Sequence, residues 1–314
     1  MNLFAPLLRT GLVAVALSTL CLSASAGNLR DRLLQRAQLG QEAEDITPAQ
    51  LPPGVRVIRN VPYGGDPAQR MDVYLPAQGT ARAPVIFMVH GGGWTRGDKA
   101  MASVVQNKVA RWVPRGFVLI STNYRMLPGT RPIEQAHDVA RALAFAQARA
   151  AGWGADRDRF ILMGHSAGAH LVGLVAAEPA IAFDQGALPW LGTVSLDSAA
   201  LNVVAIMQGP HLPLYDDAFG SDPAYWRAAS PLQQLKTRGA PFLAVCSTRR
   251  QESCPQAHNF VDKAHSLHMR GQVLGEDLSH RQINEDLGLP GDYTAQVEAF
   301  LATLDPLVAR HLGR

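Results

Sequence analysis

From Ala83 to Leu304 the chain alternates two hydrophobic patterns. Apolar runs of strand length recur: "APVIFMVHGGG" (83–93), "FVLISTNY" (117–124), "RFILMGHS" (159–166), "LGTVSLD" (191–197), "APFLAVCS" (240–247) and "GQVLGEDL" (271–278). Between them lie segments with apolar residues at helical spacing: 102–114, 132–151, the stretch "SAGAHLVGLVAAEP" (166–179), 255–269 and 291–304. Strands that are apolar on both faces, alternating with helices, predict an α/β fold with a mostly parallel sheet covered on both sides. Two earlier runs, "RVIRNVPYGG" (56–65) and "QRMDVYLPA" (69–77), flank a Gly-Asp-Pro turn and predict an N-terminal antiparallel hairpin. Leu29, Leu33, Leu34 and Leu39 predict a loose helix within 28–50. Residues 201–235 break the alternation and read as a small cap insertion carrying Tyr215, Phe219, Tyr225 and Trp226. In such a sheet, chemistry belongs in the loops at the carboxyl ends of the strands.

The first 26 residues follow a different rule. Arg9 precedes the apolar run "GLVAVALSTLCL", and "SASAG" offers small residues for cleavage after Ala26. This is the pattern of a secretory signal, too short and too rich in Ser and Thr to span a bilayer comfortably. The expected organisation is a signal peptide over 1–26 and one domain over 27–314, periplasmic or secreted, with no membrane association after cleavage. Leu20 before Cys21 argues against lipidation. The remainder has 28 basic against 26 acidic residues, a net of +2, and no Lys/Arg run. That balance gives no reason to expect a nucleic-acid partner. Two cysteines then remain, Cys246 and Cys254, and in an oxidising compartment an even number predicts a disulfide.

Candidate chemistry sits where the fold requires it. "GHSAG" (164–168) lies between a strand and a helix and fits the nucleophile-elbow pattern, with Ser166 as nucleophile. "HGGGW" (90–94) follows an earlier strand. Its bare backbone fits an oxyanion loop, with Gly92, Gly93 and Ala167 as the N–H donors and His90 as a brace. A serine needs a base, and His280 follows the last strand. His165 is expected to point away into packing. His265 and His268 have no third metal ligand converging on them. For the third member, the chain order Ser, acid, His favours Glu252, the one acid between Gly239 and Asp262. Asp277 and Asp197 are rivals. A Cys246–Cys254 bridge would clamp the loop that carries Glu252. Trp94 and Tyr215 are candidate substrate-binding residues at the pocket entrance.

Together these residues resemble the alpha/beta-hydrolase superfamily, in particular bacterial esterases and lipases with an "HGGGW" loop, akin to hormone-sensitive-lipase-like and feruloyl/acetylxylan-type esterases. "QRMDVYLP", "VHGGGWTRGDK", "NYRMLP", "GHSAGAHL", "AFGSDPAYWRAASP" and "LSHRQIN" carry the resemblance, which runs from about Val57 to Leu304. It implies a cofactor-free serine hydrolase of small-molecule esters, short-chain or aromatic because no long hydrophobic lid is present. An arylformamidase-like amide hydrolase, or a catalytically silent binding module on the same scaffold, is the alternative. One departure stands out. The family's loop often reads "HGxxDxxVP", and its Asp falls near Arg250 in this chain.

Overall fold

The computed structural model describes residues 49–79, 81–198 and 200–314. The expected signal segment lies outside these residues, as does the expected helix over 28–50 apart from Ala49 and Gln50, which are not helical. Eight strands form one sheet: β1 (Arg56–Pro62), β2 (Arg70–Leu75), β3 (Ala83–Val89), β4 (Val118–Thr122), β5 (Ala155–His165), β6 (Gly192–Leu196), β7 (Phe242–Ser247) and β8 (Gly271–Glu276). Their spatial order is β1-β2-β4-β3-β5-β6-β7-β8. β2 is antiparallel to both β1 and β4, and every pairing from β4 to β8 is parallel. The expected hairpin and parallel sheet are therefore both present.

The main covering helices are α1 (Ala102–Trp112), α2 (Pro132–Arg149), α3 (Ala167–Ala177), α4 (Ser253–Ser266), α5 (His280–Glu285) and α6 (Asp292–Ala302). The alternation of side chains along a strand divides the core between two faces. Val85, Phe87 and Val89 of β3 pack with Val139, Leu171 and Phe260, which come from α2, α3 and α4. Ile86 and Met88 pack on the opposite face with Val105 and Trp112 of α1 and Phe300 of α6. The interrupted region forms four short helices, Val203–Gln208, Pro213–Phe219, Pro223–Ala228 and Pro231–Gln234, the last three each opened by a proline. A proline at the first helical position lacks only an N–H that would have no partner there.

The sheet register sets the site. His165 pairs with Leu196, and Leu196 pairs with Val245. Ser166, Asp197 and Cys246 consequently occupy the same level on three adjacent strands, at the carboxyl edge.

Candidate active site

Ser166 adopts φ 54 and ψ −116, left-handed backbone that a side chain tolerates only under constraint. The constraint is visible on both sides. The Ser166 amide donates to the Leu196 carbonyl at 3.0 Å, and the Ser166 carbonyl accepts from the His170 amide at 3.1 Å. A Cβ on Gly164 would lie 2.4 Å from the Gly168 carbonyl oxygen, and one on Gly168 would lie 2.3 Å from that of Val89. The turn therefore closes only with glycine at both positions. Within β5 and α3 around the elbow, Ser166 alone is not buried from Phe160 to Ala177.

The loop after β3 lies against this turn. A Cβ on Gly91 would come 2.9 Å from Cβ of Ser166. Gly92 and Gly93 both have positive φ, 113 and 59, and the Gly92 carbonyl accepts from the amides of Thr95 and Arg96 at 3.2 Å. Among the described residues, the amides of Gly92, Gly93 and Ala167 donate to no other group of the chain. His90 braces the loop. Its Nδ1 lies 2.7 Å from the Gly91 carbonyl, its ring stacks on Tyr124 at 4.6 Å, and Tyr124 Oη donates to the His90 carbonyl at 3.0 Å. Burial lowers the pKa of His90.

His280 is the first residue of α5, whose start is fixed by a capping box between Ser279 and Gln282. His165 is buried in packing as expected, and the group it packs against is His280. The two rings are 4.5 Å apart, and His165 Nε2 donates to the His280 carbonyl at 3.0 Å. Burial, then the adjacent His280, holds the pKa of His165 well below its usual value.

The expected acid requires correction. Nδ1 of His280 meets the carboxylate of Asp197, 2.5 Å from Oδ2. Glu252 is exposed at the N-cap position of α4, and Asp277 is exposed in an ion pair with Arg249 at 2.8 Å. The physical reason lies in the register. Asp197 follows β6 directly, at the level of Ser166, and its φ of 53 turns it off the strand. Asp197 is fully buried, and its Oδ1 accepts from the Ser247 amide at 2.8 Å and from Ser253 Oγ. Arg250 Nη1 donates to Oδ2 at 2.6 Å. Burial alone would raise the pKa of Asp197. The Arg250 guanidinium, with His280 and Ser253, outweighs that and holds the carboxyl well below the usual carboxylate range.

Cys246 and Cys254 form a disulfide, with Cα atoms 5.1 Å apart. The loop it closes does not deliver the acid. It delivers Arg250 and Ser253, two groups that hold an acid coming from the neighbouring strand.

Trp94 departs from its expected place at the pocket entrance. It is 3% exposed, below the cap, with its ring 5.8 Å from Tyr215 and 5.0 Å from Phe219. Trp94 Nε1 donates to His170 Nδ1 at 3.1 Å, and His170 Nε2 donates to the Ala229 carbonyl at 2.7 Å. Tyr215 is half-buried on helix Pro213–Phe219. Burial raises the pKa of its phenol, which also senses Arg250, Asp197 and Glu252 and so faces the same space. Leu214 of that helix is the side chain nearest to where a Cβ on Gly93 would project, at 4.0 Å.

A strained serine, a histidine bound to a buried carboxylate, and free amides beside them can perform nucleophilic acyl transfer. No cluster of metal-ligating side chains occurs among the described residues.

Known proteins share this fold. Solved esterases show the same α/β-hydrolase fold. Esterase B of Lactobacillus rhamnosis superposes with a TM-score of 0.70 at 18% identity, over 91% of this chain and 96% of that one. Esterase 2 of Thermogutta terrifontis gives 0.63 at 18%, over 80% and 92%. In sequence, esterase LipC of Mycobacterium tuberculosis is 31% identical over 243 residues, 68% of this chain and 56% of LipC. A probable isoprenylcysteine alpha-carbonyl methylesterase of Arabidopsis thaliana is 34% identical over 125 residues, 40% of this chain and 26% of that protein. The chain thus spans about half or less of the length of these relatives. The BD-FAE family model matches residues 71–256, more than half of the chain, from β2 through the elbow to the start of α4. With that match and the likeness to LipC, this chain belongs to the BD-FAE family of α/β-hydrolase proteins.

Proposed function

We propose that this chain is an exported serine carboxylic ester hydrolase, acting on short-chain or aromatic esters through a Ser166–His280–Asp197 triad. Ser166 attacks the ester carbonyl as His280 takes its proton at Nε2. Asp197 holds Nδ1–H and stabilises the imidazolium that forms. The amides of Gly92, Gly93 and Ala167 bind the oxyanion. His280 then protonates the leaving alkoxide and later deprotonates the water that releases the acid. No step calls on a cofactor.

The observation that carries this reading is the 2.5 Å contact between His280 and a buried carboxylate, at the sheet level of a left-handed serine. The esterase names of LipC and of the isoprenylcysteine methylesterase relative support an ester as the substrate class. The short helix that places Leu214 beside Gly93, and carries Tyr215 next to it, supports a small acyl group. The pattern over 1–26 and the Cys246–Cys254 bridge support export.

A series of p-nitrophenyl esters tests the reading. Acetyl and butyryl esters should turn over faster than any ester of twelve or more carbons, and Ser166→Ala should abolish turnover and fluorophosphonate labelling together. Preference for long chains would refute the small pocket. Preference for N-formylkynurenine would make the chain an amide hydrolase. Labelling that survives Ser166→Ala would refute the nucleophile.

A further inference from the structure

Trp94 follows the two glycines assigned to the oxyanion, and its backbone is as unusual as theirs. Residues 92–94 all have positive φ, 113, 59 and 63. Glycine adopts this left-handed backbone freely, whereas tryptophan does so only where its surroundings force it. The forcing contacts come from three other parts of the chain. The Trp94 carbonyl accepts from the Leu127 amide at 2.9 Å and from Gln135 Nε2 of α2 at 3.0 Å. Gln135 is fully buried, and the same Nε2 donates to the Thr130 carbonyl at 2.8 Å. The Trp94 indole donates to Nδ1 of His170 at 3.1 Å. His170 lies in the first turn of α3, and its own amide donates to the Ser166 carbonyl at 3.1 Å. His170 thus grips the backbone of the nucleophile with its amide and the loop after β3 with its ring.

We propose that Trp94 and His170 are positioning residues that fix the distance between Ser166 and the amides of Gly92 and Gly93, so that the oxyanion site is formed before substrate arrives. The proposal rests on the acyl-transfer reading above.

Packing alone asks less of these two residues. The Trp94 ring lies 5.0 Å from Phe219 and edge-on to His170 at 5.5 Å, contacts that a phenylalanine can keep. A phenylalanine cannot supply an N–H aimed at an acceptor. Both residues are buried, so water does not replace the bond when it is lost. The imidazole is also tied at its other nitrogen, where Nε2 donates to the Ala229 carbonyl at 2.7 Å. It cannot turn to follow a displaced indole without giving up that second bond. On the other side of Trp94 the loop is tight. A Cβ on Gly92 would lie 2.1 Å from the Arg96 carbonyl oxygen, and the Gly92 carbonyl closes the turn onto the amides of Thr95 and Arg96. A turn this close moves as a unit, and a shift at Trp94 passes to the Gly93 amide, one peptide away. Misplacement by about 1 Å is enough to cost about a hundredfold in rate.

The test is steady-state hydrolysis of p-nitrophenyl acetate by the full chain, with phenylboronic acid as an inhibitor that adds to a serine as a tetrahedral anion. The proteins compared are the unaltered one, Trp94→Phe, His170→Leu, His170→Gln and the pair Trp94→Phe with His170→Leu. Trp94→Phe should lower kcat about tenfold or more, keep KM within about twofold, and weaken phenylboronic acid by about the same factor as kcat. His170→Gln, whose amide can accept from the indole and donate to Ala229, should restore most of what His170→Leu loses. The double variant should lose no more than the larger single loss, because the two changes remove the same indole bond. Unchanged kcat and inhibitor binding in Trp94→Phe would overturn the proposal. A raised KM at unchanged kcat would also overturn it, by making Trp94 a substrate contact. If His170→Leu does not fold, Trp94→Phe decides alone. Ser166→Ala separates this failure from that of the hydrolase reading. Ester turnover that survives Ser166→Ala sinks the hydrolase reading, whereas an inactive Ser166→Ala beside an unimpaired Trp94→Phe sinks only the positioning role.

Discussion

His170 shows how a single residue links the oxyanion loop to the cap. The Trp94 indole can only donate, and the Ala229 carbonyl can only accept, so the two contacts specify a neutral ring protonated at Nε2. Burial lowers its pKa to about 4. Protonation at Nδ1 would remove the acceptor that holds Trp94. A histidine with a depressed pKa stabilises the fold fully above its unfolded value and loses that contribution as pH falls through the folded one. The window here runs from 6.5, its ordinary value, down to about 4. The loss across it is on the order of 3 kcal/mol at most. His170→Gln should therefore show a shallower decline of Tm between pH 6.5 and pH 4 than the unaltered protein. The slope should shrink but not vanish, because His90 and His165 are shifted in the same direction. An identical slope in thermal melts at several pH values would show that His170 titrates as it does in the unfolded chain.

At the scale of elements, the loop between β7 and α4 has the largest consequence for the site. Its bridge spans eight positions of sequence. Closing so short a loop contributes about 2–3 kcal/mol through the unfolded state. The loop also presents Arg250 and Ser253 to Asp197. Reduction with a thiol should lower Tm and activity together, and mass spectrometry of the purified protein should find Cys246 and Cys254 without a free thiol. Two free thiols in a fully active protein would remove the bridge from the account. The strands themselves are legible in the sequence because both faces of a parallel sheet are buried, which leaves continuous apolar runs such as Val85 to Val89. The helices of the cap are not legible. Four to seven residues are too few for periodicity to show, and each is set by a proline, a cap or a tertiary contact.

For the whole molecule, the fold and most of the candidate site follow from local signals: the glycines of the elbow, the bare backbone of the loop after β3, and a histidine after the last strand. The acid does not, because it depends on register between strands that are far apart in sequence. Glu252 satisfies chain order, yet it lies at the exposed start of α4. Asp197 lies beside Ser166 because β5 and β6 pair His165 with Leu196. A readable signal did exist. Asp197 directly follows the strand run that comes next in order after the elbow, and Arg250 stands where the family's loop usually carries an Asp. A cation there leaves the carboxylate to come from elsewhere, and the adjacent strand end is the nearest source.

The most direct test of the Ser166–His280–Asp197 assignment compares kcat/KM of Asp197→Asn with that of Glu252→Gln on p-nitrophenyl acetate, both checked for folding by circular dichroism. The expected result is a loss of about a thousandfold or more for Asp197→Asn, with Glu252→Gln within a few-fold of the unaltered protein. The reverse order, with Glu252→Gln collapsing and Asp197→Asn retaining activity, would contradict it.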